Sequence, residues 1–160
     1  MITQALVEGT DMNKFRTIYI IATEPGYPVY LKCGFELEAE YADFDILPGK
    51  FTSEISPHII PFDEKYKNQI LELDKITTGE SRSERLKEHL HVSSVFLSGN
   101  KISGAFFPDL GEGLIIADEP SAGIELMKFR IQTGTYSIFP LENRTALEFY
   151  RLRVSKKIKK

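Results

Sequence analysis

Glu24-Pro25-Gly26-Tyr27-Pro28-Val29-Tyr30-Leu31-Lys32-Cys33-Gly34-Phe35 is the stretch on which the fold turns. Pro25 and Pro28 suit the first turn of a short helix, where a missing N–H costs little. Gly34 suits its end, because glycine takes the left-handed conformation that closes a helix. Just upstream, Phe15 to Thr23 (FRTIYIIAT) is β-rich with a nearly continuous apolar core, the pattern of a strand buried on both faces. Just downstream, Phe35 to Phe44 alternates, with Phe35, Leu37, Ala39 and Tyr41 on one face and Glu36, Glu38 and Glu40 on the other. Residues 24 to 33 therefore form a helix between two predicted strands. Further upstream, Ile2, Ala5 and Leu6 share a helical face that Gly9 ends, and Thr10 to Lys14 form a polar link. An apolar strand over 15 to 23 needs a cover, since an unpaired edge invites aggregation. A homodimer is one way to supply it.

Leu47-Pro48-Gly49-Lys50 breaks the pattern and marks the expected boundary between residues 1–50 and 51–160. Beyond it, a strand is predicted near His58 to Pro61. A helix follows from Asp63, its cap, to about Leu73, with Tyr66, Ile70, Leu71 and Leu73 facing inward. A second helix spans Ser81 to Leu90. Ser93–Ser98 and Lys101–Phe107 pair as a hairpin across Gly99-Asn100, both of which tolerate positive φ. Leu114 to Ala117 is a short buried strand, Ser121 to Gln132 a helix, Thr135 to Phe139 a strand and Arg144 to Leu152 a helix. That order argues for an α/β or α+β fold in which helices cover a mixed sheet.

At 160 residues the chain can build one ordinary domain or two very small ones. Its 42% hydrophobic and 27% charged residues are those of a folded chain rather than a disordered one. A net charge of −3 gives no general drive toward nucleic acid or an anionic membrane. The basic tail, six Lys or Arg in the ten residues Arg151–Lys160, has no interleaved aromatic for base stacking and reads as a solvated terminus. Cys33 is the sole cysteine, which excludes an internal disulfide and a cysteine zinc site. His58, His89 and His91 form no recognisable ligand set, so no metal is expected. The apolar runs are too short to span a bilayer and the N-terminus has no secretory pattern, so a cytoplasmic protein is expected.

The strand, the short helix with Tyr30 and the closing Gly34-Phe35 resemble the GNAT superfamily of acetyl-coenzyme A-dependent N-acetyltransferases. The second segment is similar to the same family from the front of its fold, through Ile60-Pro61-Phe62-Asp63, Ile70-Leu71-Glu72-Leu73-Asp74, Gly79-Glu80-Ser81-Arg82 with Leu86, Gly111 to Ala117 and Pro140 to Tyr150. The likeness is closest to the C-terminal part of proteins with two acetyltransferase-like units in tandem. Residues 1–50 then stand as the closing half of one unit and 51–160 as a second, diverged one. Strand-plus-helix 17–33 and 137–153 superpose at an offset of 120 residues, which sets Tyr150 on Tyr30. The Gly-Phe of the first copy becomes Val154-Ser155 in the second.

The resemblance implies acetyl transfer from acetyl-coenzyme A, as co-substrate, to a small-molecule primary amine. It places Tyr30 where the family's general acid reprotonates the leaving thiolate. A phenol with a pKa near 10 keeps its proton at neutral pH. Glu112 is the first choice for a general base, with Asp118 and Asp109 nearby. Ala117, Gly123, Asn143 and Tyr150 are the positions it sets beside the coenzyme. Each has a structural reading too: packed tyrosines, solvated loop carboxylates and a helix start capped by Ser121. The family holds the pyrophosphate on a glycine-bearing turn at a helix N-terminus. In the first segment that turn would precede residue 2. In the second, Asp118-Glu119-Pro120-Ser121-Ala122-Gly123 offers one glycine, two carboxylates and a proline. The alternative function is a non-catalytic module on the same fold that binds a small metabolite or a partner protein.

Overall fold

The computed structural model describes residues 2–11, 13–14, 17–45, 54–133 and 136–153 and divides the chain into two compact units after Glu40. In the first unit, α1 (Ile2–Gly9) and α2 (Tyr27–Lys32) are the regular elements among the described residues. Gly34, at φ +86, ends α2 in the left-handed conformation. The Phe35 N–H then bonds the Tyr30 carbonyl and the Gly34 N–H bonds that of Leu31, at 3.2 and 3.1 Å. These two bonds satisfy carbonyls that a helix end leaves open. Of the strand expected over Phe15–Thr23, the described part, Thr17–Thr23, forms none. Phe15 and Arg16 lie outside the described residues, and Thr17–Thr23 join no ladder. The apolar residues are present, but a strand exists only through a partner's hydrogen bonds. The downstream strand is shorter than its alternation, with Phe35–Glu40 irregular and regular pairing beginning at Tyr41.

The second unit contains β1 (Tyr41–Asp45), β2 (Ile59–Pro61), α3 (Lys67–Thr78), α4 (Ser83–Lys87), β3 (Ser94–Ser98), β4 (Lys101–Phe107), β5 (Leu114–Ala117), α5 (Pro120–Thr133), β6 (Tyr136–Pro140) and α6 (Arg144–Arg153). The fold is mixed α and β, with helices flanking sheets. Strands β2-β3-β4-β5 form one antiparallel sheet, and β1 and β6 form a separate antiparallel pair. The central hairpin turns at Gly99-Asn100 as the sequence predicts. Asp63 is the expected cap, accepting the Lys65 N–H at 3.0 Å, but it opens a single 3₁₀ turn before α3 begins.

Alternation along β4 builds two faces. Ile102, Ala105 and Phe107 pack with Ile70 and Leu73 of α3 and Leu86 of α4. Phe106, with Phe96 of β3, packs under Ala122 and Leu126 of α5 on the other side. Gly104 makes that second contact possible, since a Cβ there would stand 2.7 Å from Leu126 Cδ1. The pairing shifts at Phe96/Leu97, and the Ile102 N–H lies outside the β3–β4 ladder. It donates instead to Gln69 Oε1 at 3.0 Å, tying α3 to the sheet. The third core joins Ala42 and Phe44 of β1 to Phe139 of β6, Met127 and Ile131 of α5, and Ala146, Phe149 and Tyr150 of α6.

Candidate functional site

The start of α5 follows directly from the end of β5. The Asp118 N–H donates to the Ser103 carbonyl at 3.1 Å, and the Gly123 N–H to the Glu119 carbonyl at 3.1 Å. Pro120 occupies the first helical position and has no N–H to offer. The Asp118 carboxylate pairs with the Lys101 ammonium, and that hydrogen bond holds Lys101 above the usual lysine range. Ala117 and Gly123 come together here, for a Cβ on Gly123 would meet that of Ala117 at 3.6 Å. This contact seats the helix on the strand. A pyrophosphate brought to this helix start would face two carboxylates, at roughly 1 kcal/mol or more per close pair. The residues of this turn do not fit such a group.

A buried polar chain lies at the other end of the same helix. Arg130, 6% exposed, donates to Ser137 Oγ on β6 and to the Glu112 carbonyl on the turn before β5. Ser137 Oγ and the Tyr150 hydroxyl are 2.6 Å apart and share a hydrogen bond. Tyr150 is 1% exposed and packed among Phe44, Phe139 and Phe149 at ring centroid distances of 5.4, 5.1 and 5.2 Å, stacked on Phe139 and edge-on to Phe149. Gly113 adopts φ +87, and a Cβ there would lie 2.7 Å from Arg130 Nε. Only glycine satisfies both conditions. The chain thus spans the break between β5 and β6, where no ladder among the described residues joins the two sheets. Glu112 enters it through its backbone carbonyl, while its residue is exposed on the turn.

Asn143 caps α6, its side-chain oxygen accepting the Ala146 N–H at 3.0 Å. Tyr30, in the first unit, is half-buried, with its ring edge-on to Phe35 at 6.1 Å. Its hydroxyl makes no hydrogen bond among the described residues. A Cβ on Gly26 would sit 3.1 Å from the Tyr30 ring, so the small residue lets the ring lie on the turn. His89 and Asp109 form another polar contact, Nδ1 to Oδ1 at 3.1 Å, without the alignment of a hydrogen bond. Among the described residues no cluster of three or more His, Cys, Asp or Glu could hold a metal. No helix among them is long and apolar enough to cross a membrane.

Of the sequence-derived positions, the structure brings Ala117 to Gly123 and links Glu112 to Tyr150 through Arg130 and Ser137. Asn143 stands apart as a cap. Arg130 and Ser137 are absent from those positions, yet Arg130 had a signal. It falls on the inward face of α5 with Leu126, Met127 and Ile131, and a charge at such a position requires buried partners.

No protein-family model and no curated protein matches the chain. A crystal structure described as a putative acetyltransferase from Pyrococcus horikoshii is similar in fold, with a TM-score of 0.65 over 87% of this chain at 19% identity. The chain spans 53% of that protein, about half its length.

Proposed function

We propose that the chain is a GNAT-superfamily acetyltransferase unit, related to the C-terminal part of tandem acetyltransferase-like proteins, whose chemistry is acetyl transfer from acetyl-coenzyme A to a primary amine. The observation that carries this reading is the likeness in fold, across 87% of the chain, to a structure described as a putative acetyltransferase. Tyr30 is its proton donor. Its half-buried ring and uncommitted hydroxyl suit that role, whereas the Tyr150 hydroxyl is already engaged by Ser137. Acetyl-coenzyme A would supply the activated acetyl group. The acidic start of α5 does not fit its pyrophosphate, and no step is assigned to that turn.

The test is a titration of the full chain with acetyl-coenzyme A by calorimetry and thermal shift, followed by turnover with a panel of primary amines. Binding and turnover are expected. Tyr30→Phe should lower turnover by about a hundredfold or more while leaving the melting temperature in place. Absence of heat and of any shift at millimolar ligand would end this reading.

A second reading, a non-catalytic module that holds a metabolite or partner protein on the same fold, is favoured by two observations. Asp118 and Glu119 flank the helix start, and Tyr150 is sealed among phenylalanines. On this reading acetyl-coenzyme A leaves the melting temperature unchanged and Tyr30→Phe has no effect on any binding.

A further inference from the structure

Thr17-Ile18-Tyr19-Ile20-Ile21-Ala22-Thr23 is the segment of the first unit with the largest unmet bonding capacity. Among the described residues, Thr17 to Ala22 make no backbone hydrogen bond. Tyr19, Ile20 and Ile21 are 63, 40 and 67% exposed, large values for apolar side chains in so β-prone a run. Backbone and side chains together leave a β-prone segment without a partner, the kind of segment that β-strand addition recruits.

The sequence identifies the strand that fits. Read antiparallel to itself about Ile20, the segment is nearly a palindrome. Thr17 faces Thr23, Ile18 faces Ala22, Tyr19 faces Ile21 and Ile20 faces its own copy. Thr–Thr and aromatic–β-branched pairs are among the favourable cross-strand combinations. One position further out, the same register sets Arg16 opposite Glu24, twice by symmetry. A slip of two residues one way sets Glu24 against Ile18 and Arg16 against Gly26, which charge disfavours. A slip the other way sets Arg16 against Ala22 but Glu24 against Lys14, and there the self-matching of residues 17–23 selects the register rather than charge. Tyr27, Val29 and Leu31 of α2, exposed at 38, 36 and 44%, offer further apolar surface in the same unit. A seven-residue ladder is marginal without such surface.

We infer that residues 17–23 are an interaction surface for a second copy of this chain, joined by an isologous antiparallel ladder centred on Ile20. A C2 partner satisfies every requirement at once, because each residue of the segment meets a suitable residue of the same segment. The inference rests on residues 16–24 and on no ligand, so acetyl-coenzyme A binding and dimerisation are read by separate experiments.

Sedimentation equilibrium of the full chain tests it, with thermal denaturation as the control for folding. The wild-type chain should dimerise reversibly in the micromolar range. Glu24→Arg sets arginine against Arg16 at two symmetric sites and should weaken the dimer roughly tenfold. Arg16→Glu should do the same, and the double swap Arg16→Glu with Glu24→Arg should return it to within about twofold of wild type. Ile20→Lys, which opposes two lysines on the symmetry axis, should leave a monomer with an unchanged melting temperature. A wild-type chain that stays monomeric at high concentration overturns the inference. So does a dimer that ignores the single charge reversals, or that the double swap fails to restore.

Discussion

Arg130 shows how one side chain can hold two sheets that share no ladder among the described residues. Its guanidinium reaches Ser137 on one side of the break and the Glu112 carbonyl on the other, while Gly113 clears the space it needs. Removing the charge leaves a buried hydroxyl and a carbonyl without this donor, a cost of about 2–4 kcal/mol. Arg130→Met should therefore lower the urea midpoint strongly, and Gly113→Ala should do so as well by driving a methyl into Arg130 Nε. Tyr150→Phe removes one hydroxyl but keeps the stacked ring, for a loss of about 1 kcal/mol. Because the three polar groups form one chain, the Arg130→Met and Tyr150→Phe losses should fall short of additive in a double-mutant cycle. Additive losses would mean that Arg130 and Tyr150 act separately. At this scale the sequence was partly legible. Tyr150 could be found by its offset from Tyr30, but its burial depends on Phe44, more than a hundred residues away in the chain.

Local chemistry decides most of the elements, and it does so where the partners are close in sequence. Asp63 as a cap, Gly34 as a helix stop and Gly99-Asn100 as a hairpin turn were all readable because each needs only its neighbours. The Lys65 backbone N–H bonded to Asp63 holds that carboxyl below its ordinary value of 3.8. A lowered carboxylate contributes stability above its unfolded pKa and loses it as pH falls through the folded one. Asp63→Ala should therefore flatten the acid limb of the stability curve below about pH 4 and leave its neutral-to-basic slope alone, as followed by thermal melts across pH. Gly104 sets a harder limit on α5. Gly104→Ala pushes a methyl toward Leu126 Cδ1 at 2.7 Å, with Ala122 and the Ile116 carbonyl each at 3.4 Å behind it. Leu126 is fully buried and has little room to turn away, so a destabilisation of about 1–2 kcal/mol is expected in urea titration. The segment Thr17–Thr23 forms no strand for the opposite reason. Its composition is right, but pairing is a relation between segments, and composition carries no information about the other member.

On the scale of the whole molecule, the two places where the chain can be divided have different physical content. The Leu47-Pro48-Gly49-Lys50 break suggests that a second unit begins at residue 51. The compact units, however, part after Glu40, because Tyr41–Asp45 pairs along its full length with Tyr136–Pro140. In that pairing Phe44 is fully buried and stacks on Phe139 at 5.3 Å, and Ala42 opposite Phe139 is 1% exposed. A chain beginning at residue 51 would lose this strand, expose β6 as an unpaired edge and open the aromatic cluster around Tyr150. Burying a phenylalanine contributes on the order of 2–3 kcal/mol, and a lost ladder adds to that. Residues 41–160 should therefore melt cooperatively with the near-ultraviolet signal of a packed aromatic core. Residues 51–160 should melt several degrees lower, bind a hydrophobic dye and associate through β6. If both fragments melt alike, the strand Tyr41–Asp45 is dispensable and the boundary belongs at residue 50. If only the longer one is cooperative, the five residues before the break belong to the unit that follows it.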